Sequence, residues 1–221
     1  MRSRERVEDP EPERTVSFQQ FSLERVLSEF HLKIEDSHDF LAHAQPVSPG
    51  PNLSETLREY AKFALAYKSE AALREFIIGP ILMESRRRSQ APFQIFPGAT
   101  LNADEKRGLN GYCDYVLAFS PTARILQHPV VAVVEAKKED LESGEGQCAA
   151  ALVAVQMLND RQNHVLKAVY GIITTGSDWR ILKLEGSTLM FNPTLYQLAD
   201  LPALLGALIH LVEIARPEPS S

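Results

Sequence analysis

Asp114, Glu135 and Lys137 are the residues of this chain whose types and spacing could do chemistry. In PVVAVVEAKKED (129–140) an apolar run, Val130 to Val134, gives way to an acid and, two positions later, an amine. Side chains alternate across a strand, so Glu135 and Lys137 are expected on one face with Val131 and Val133, and Val130, Ala132, Val134 and Ala136 on the other. Either the strand surfaces there, or it ends in a site. A hairpin of 111–119 and 128–137, its turn centred between Arg124 and Ile125, sets Asp114 beside Glu135. Opposed residues have Cβ atoms roughly 4.5–5.5 Å apart, a distance at which two carboxylates repel unless a cation lies between them. Mg2+, with Mn2+ as a substitute, takes carboxylate oxygens and keeps several waters. The Lys137 amine could orient or deprotonate a water, or neutralise charge on a phosphate.

These residues need a scaffold, and the chain supplies alternating patterns. LSETLREYAKFALAYKSEAALREFIIGPILMESRRR (53–88) has helical spacing throughout and reads as one long helix or a pair, with Gly79-Pro80 kinking or splitting it. Strands are expected at 93–101, 111–119 and 128–137, a helix at 144–160, two strands in 166–186 joined at Thr175-Gly176-Ser177-Asp178, and a closing helix at 198–216. That order makes an α/β sandwich about a mixed sheet flanked by helices. Residues 1–50 read as a charged tail, disordered over 1–16 and with a short helix in 17–43, and QPVSPGPN (45–52) as a linker to a domain over 51–221.

An Asp, some twenty residues, then Glu-x-Lys after an apolar strand resembles the PD-(D/E)xK nuclease superfamily, here Asp114 and Glu135-Ala136-Lys137. SEAALREFIIGPIL (69–82) is similar to the first helix of the nuclease region of type I restriction motor subunits and their stand-alone relatives, with Glu70, Arg74, Pro80 and Leu82 matching. GEGQCAAALVAVQ (144–156) looks like the glutamine-bearing helix after Glu-x-Lys, which points to Gln147, and YGIITTGSDWRILKL (170–184) like the family's strand, turn and Trp-bearing strand. Trp179 there reads as a core or turn residue. The resemblance implies a restriction endonuclease-like α-β-β-β-α-β core and a Mg2+-dependent endonuclease cutting nucleic acid, DNA in preference to RNA. It implies metal ligands at Glu70, Asp114, Glu135 and the Ala136 carbonyl, and catalytic roles for Asp114, Glu135, Lys137 and Gln147. Glu75 rivals Glu70, but Glu70 shares a helical face with Leu73 and Ile77 and so points at the sheet. The residue before Asp114 is Cys113 where the family often has Pro, and the motor of the type I subunits has no counterpart here.

Composition limits the alternatives. Net charge is −6 from 23 Lys and Arg against 29 Asp and Glu, so the chain lacks the cationic surplus that drives non-specific DNA affinity. Nucleic-acid contacts must then be local, at patches such as ESRRRSQ (84–90) and DEKRG (104–108), each of which also reads as a solvated helix end or loop. Cys113 and Cys148 have no metal spacing and read as small thiols of a reducing, cytoplasmic compartment. No apolar run could span a membrane, and the N-terminus lacks the apolar segment of a secretory signal. The six histidines, 31, 38, 43, 128, 164 and 210, read as surface or cap residues. Cutting both strands would call for a homodimer or a partner protein. Two other readings stand beside the enzyme: a nuclease-like binding or scaffold module that no longer cuts, and a small-molecule α/β domain whose Glu-x-Lys is a surface ion pair.

Overall fold

The computed structural model describes residues 17–36, 38–91 and 93–217. Disorder expected over 1–16 lies outside the described residues.

A short 3-10 turn, Phe18–Gln20, leads into α1 (Leu23–Glu29), capped by Ser22, whose side chain accepts from the Arg25 amide. The strand β1 (Lys33–Glu35) follows, then α2 (Pro51–Tyr67). The next helix runs in three continuous pieces: α3 (Glu70–Leu73), a π-helical stretch Arg74–Ile78, and α4 (Gly79–Arg88). Strands β2 (Gln94–Asp104), β3 (Leu109–Ala118) and β4 (Val130–Ala136) come next, then α5 (Glu145–Arg161), β5 (Val169–Thr174), β6 (Asp178–Glu185), β7 (Thr188–Phe191), β8 (Tyr196–Gln197) and α6 (Leu201–Ile214). The eight strands form one mixed sheet in the order β1-β7-β6-β5-β4-β3-β2, with β8 on β6. The β4/β5 and β1/β7 pairs are parallel, the others antiparallel. The expected α/β sandwich with a mixed central sheet is therefore present.

Two cores lie on the two faces. One joins α2, α3, α4 and α6 to Val134, Ile172 and Ile181; the other joins α1 and α5 to Val133, Ile173 and Leu182. The alanines of α5 at 149, 150, 151 and 154 are wholly buried, which lets its backbone lie close to the sheet.

Three features differ from expectation. Residues 17–50 are not a tail separate from the domain: Phe18, Phe21 and Val26 are buried in the α5-side core, and β1 extends the sheet. Gly146 explains the close approach, since a Cβ there would stand 2.2 Å from the Phe21 carbonyl oxygen. Second, the helix over 53–88 breaks at Lys68, which is left-handed, and restarts on Ser69, whose hydroxyl accepts from the Ala72 amide. Gly79-Pro80 does not split it, because the ring sits in the first turn after the π-helical stretch, where a missing N–H is tolerated. Third, β4 is irregular where Leu117 pairs with Ala132 but Ala118 with Val130. The extra residue exchanges two faces, so Val130 joins the α5 side and Val131 the other.

Candidate active site

Beyond that irregularity the hairpin has the register the sequence implies. Tyr115 pairs with Val134 and Val116 with Val133, which carries Asp114 to the level of Glu135. Their ends open into a cleft of about 560 Å3 lined by Gln19, Glu70, Arg74, Tyr112, Asp114, Glu135, Ala136, Lys137, Ser143 and Gln147. All six residues expected at the site, Glu70, Asp114, Glu135, Ala136, Lys137 and Gln147, are thus brought together. Glu75, the alternative to Glu70, is exposed and is not among the cleft-lining residues.

Hydrogen bonds fix the arrangement. The Ala136 amide donates to Asp114 Oδ2 at 2.7 Å, and Arg74 Nη1 donates to Oδ1 at 2.8 Å. Lys137 Nζ donates to Gln147 Oε1 at 2.6 Å, and Gln147 Nε2 to Glu135 Oε2 at 2.7 Å. Chemistry selects this orientation of the Gln147 amide, because reversing it would face NH2 to an ammonium and the carbonyl to a carboxylate. The amine, the amide and the acid form one chain. Tyr115 donates its hydroxyl to the Arg74 carbonyl at 2.6 Å and so braces the π-helical stretch that carries Arg74.

Glu135 is 2% exposed, and its Oε1 has no hydrogen-bond partner. Burial first and the Asp114 carboxylate second push its carboxyl up to about 8, against the opposing pull of Lys137. A buried carboxylate oxygen without a partner beside a second acid favours either a proton or a cation. Cys113 and Cys148 are fully buried, and burial first, then the Glu135 charge, pushes both thiols up. A thiol is too weak a donor to satisfy a buried carboxylate.

By type, the oxygens at the cleft are those a hard divalent ion takes: carboxylates at Asp114 and Glu135, a backbone carbonyl at Ala136, and Glu70 on the facing helix. Both Asp114 oxygens are engaged, yet each keeps a lone pair. Among the described residues no group of three His, Cys, Asp or Glu side chains is gathered closely enough to hold a metal ion. Glu70 lines the cleft without completing such a group.

Arg74 and Tyr112 are the residues that sequence reasoning missed as site members. Arg74 follows Glu70 by four positions, and Tyr112 precedes Asp114 by two, so helix and strand periods both pointed to them. They touch each other, Arg74 Nη1 to the Tyr112 hydroxyl at 2.9 Å. Gln19 carried no signal. In the basic patches Arg87 and Arg88 pair with buried Glu84, Arg86 donates to the Phe93 carbonyl, and Arg107 lies over Phe30. Trp179 is core, its Nε1 donating to the Gly176 carbonyl at 3.2 Å. Among the described residues no helix is long and apolar enough to cross a membrane. No family model matches the chain, and no curated protein matches it significantly.

Proposed function

We propose that the chain is a metal-dependent endonuclease of the PD-(D/E)xK type, hydrolysing phosphodiester bonds of nucleic acid, DNA rather than RNA. One observation carries the reading: Asp114, Glu135, Lys137 and Gln147 meet in a single cleft where a buried Glu135 oxygen has no partner. Asp114, Glu135, the Ala136 carbonyl and Glu70 would hold Mg2+, or Mn2+ in its place. When bound, such an ion activates the attacking nucleophile and shields charge on the leaving oxygen.

The protein's own residues do the rest. Lys137, aimed by Gln147, offsets the negative charge that gathers on a phosphate and can take or give a proton to a water beside it. Gln147 ties that amine to Glu135, so the two keep a fixed separation. Arg74, which is half-buried at the cleft, can meet a phosphate oxygen while it stays on Asp114.

A second reading has one observation in its favour. The Arg74 guanidinium already neutralises Asp114, which suits a nuclease-like module that binds nucleic acid or a partner protein without cutting. Titrating Mg2+ and Mn2+ by calorimetry into the protein and into Asp114→Asn separates the two. The enzyme reading expects binding that the substitution abolishes; no binding, or binding unaffected by the substitution, favours the module.

A further inference from the structure

A larger hollow, of about 770 Å3, opens between the end of α6, the loop after α5 and the segment around Phe40. It lies away from the cleft. Tyr170 on its floor pairs with Ala132, whereas Ile173 pairs with Glu135, so about 10 Å of strand separates the two levels. Tyr170 also faces the α2, α4 and α6 side of the sheet, opposite to α5.

The floor is unusual for an apolar face. Lys183 stands directly across from Tyr170 in the β5/β6 register, and both are buried. Lys183 Nζ is 2.9 Å from Glu185 Oε2 and 5.3 Å from the centre of the Phe40 ring. A buried ammonium is costly unless well paired. Glu185 occupies one of its three donors, and two are left. Burial, then the Glu185 charge, pushes the Tyr170 phenol up to about 12, so it remains a donor at neutral pH. Lys167 and Arg216 add two exposed cations to the wall. Two carboxylates share the wall: Glu185 pairs with Lys183, and Asp39, which accepts from the Leu41 amide at 3.0 Å, keeps its charge. Three cations, Lys183, Lys167 and Arg216, thus face two acids, which leaves one positive charge in surplus, and the Phe40 ring, tilted against Tyr170 at 6.1 Å, supplies a flat apolar surface. The volume lies within the roughly 300–1,000 Å3 of small-molecule sites. Three histidines that read in the sequence as surface or cap residues, His38, His43 and His164, line the same hollow.

We propose that this hollow is a binding site for a mononucleotide, its phosphate held by Lys183, Lys167 and Arg216 and its base laid on Phe40. The assignment stands independently of the nuclease reading.

Calorimetry on the full chain tests it, with adenosine 5′-monophosphate as the probe and adenosine and inorganic phosphate as separate arms. The monophosphate is expected to bind one per chain, and each separate half at least about tenfold more weakly. Lys183→Met should weaken binding about tenfold or more, Arg216→Gln and Lys167→Gln each about three- to tenfold. Lys137→Ala, in the other cleft, should leave this affinity unchanged. The two exposed substitutions carry the test if circular dichroism shows Lys183→Met to be misfolded. Absence of heat at millimolar monophosphate would overturn the proposal, as would equal affinity in the wild type and the Arg216 and Lys167 variants. Inorganic phosphate binding as tightly as the monophosphate would overturn the nucleotide assignment, and loss of binding in Lys137→Ala would move the nucleotide to the catalytic cleft.

Discussion

Glu135→Gln keeps the shape of a buried side chain and removes its charge, and the effect on stability can be worked from the surroundings. Burial and Asp114 raise the Glu135 carboxyl from 4.5 to about 8. Between those values the native protein without metal keeps a proton that the unfolded chain has released. The native state then binds more protons than the unfolded state, so stability falls as pH rises through the window. The loss is absent below 4.5 and complete above about 8. At about 1.4 kcal/mol per tenfold change in proton affinity it is on the order of 5 kcal/mol. That is a large share of the roughly 5–15 kcal/mol that holds a typical domain together. Urea unfolding with a chelator present, at about pH 5 and about pH 8.5, measures it. The wild type should lose several kcal/mol across this range relative to Glu135→Gln. Added Mg2+ should narrow the gap, because an ion that binds only the native state stabilises it. Parallel pH profiles for the two proteins would refute the argument that Glu135 is a strained, cation-seeking acid.

Other outcomes follow from the same geometry. Lys137→Ala should lower metal-dependent cleavage by about 10²–10⁴-fold while costing no more than about 1–3 kcal/mol in unfolding experiments, the cost of leaving Gln147 Oε1 without its donor. Deleting residues 1–50 removes buried Phe18, Phe21 and Val26, each worth roughly 1.5–3 kcal/mol; a shortened chain that melts like the full one would contradict the docking of this segment. Gly146→Ala should shift the same segment and destabilise by about 1–3 kcal/mol, since its Cβ meets the Phe21 carbonyl. Arg74→Gln frees Asp114 and should tighten Mg2+ binding in calorimetry; unchanged or weakened binding would show that Arg74 does not compete with the ion.

How much of this was legible depended on range and on contrast between neighbours. The β3/β4 register was readable because Asp114 and Glu135 each interrupt an apolar run on consecutive strands, which leaves one pairing that joins them across the intervening loop. The shift at Val131 was not, since Val130, Val131 and Ala132 are all apolar and either face accepts them. Ser69, followed by Glu70 and Ala72, was a readable helix start, but Gly79-Pro80 is the louder breaker, and local propensity does not say that a π-helical stretch will absorb it. The strand β1 is three exposed residues that pair with a parallel strand more than 150 positions away. Phe18 and Phe21 looked like apolar residues of a charged tail because nothing nearby in sequence could bury them. Their partner is α5, whose Gly146 and alanines create the space. Within the site the sequence named the acids, the amine and the glutamine. It missed Arg74 and Tyr112 as members because the bonds of Arg74 to Asp114 and to Tyr112 run between a helix and a strand some 40 positions apart.

The central claim is tested most directly by incubating the purified full chain with supercoiled, linear and single-stranded DNA, and with RNA, in Mg2+, in Mn2+ and in chelator. Cleavage of DNA that needs the divalent ion and is lost in Asp114→Asn, Glu135→Gln and Lys137→Ala alike is the predicted result. Cutting that persists in Lys137→Ala, or a folded wild type that cuts none of these substrates with either ion, would contradict it.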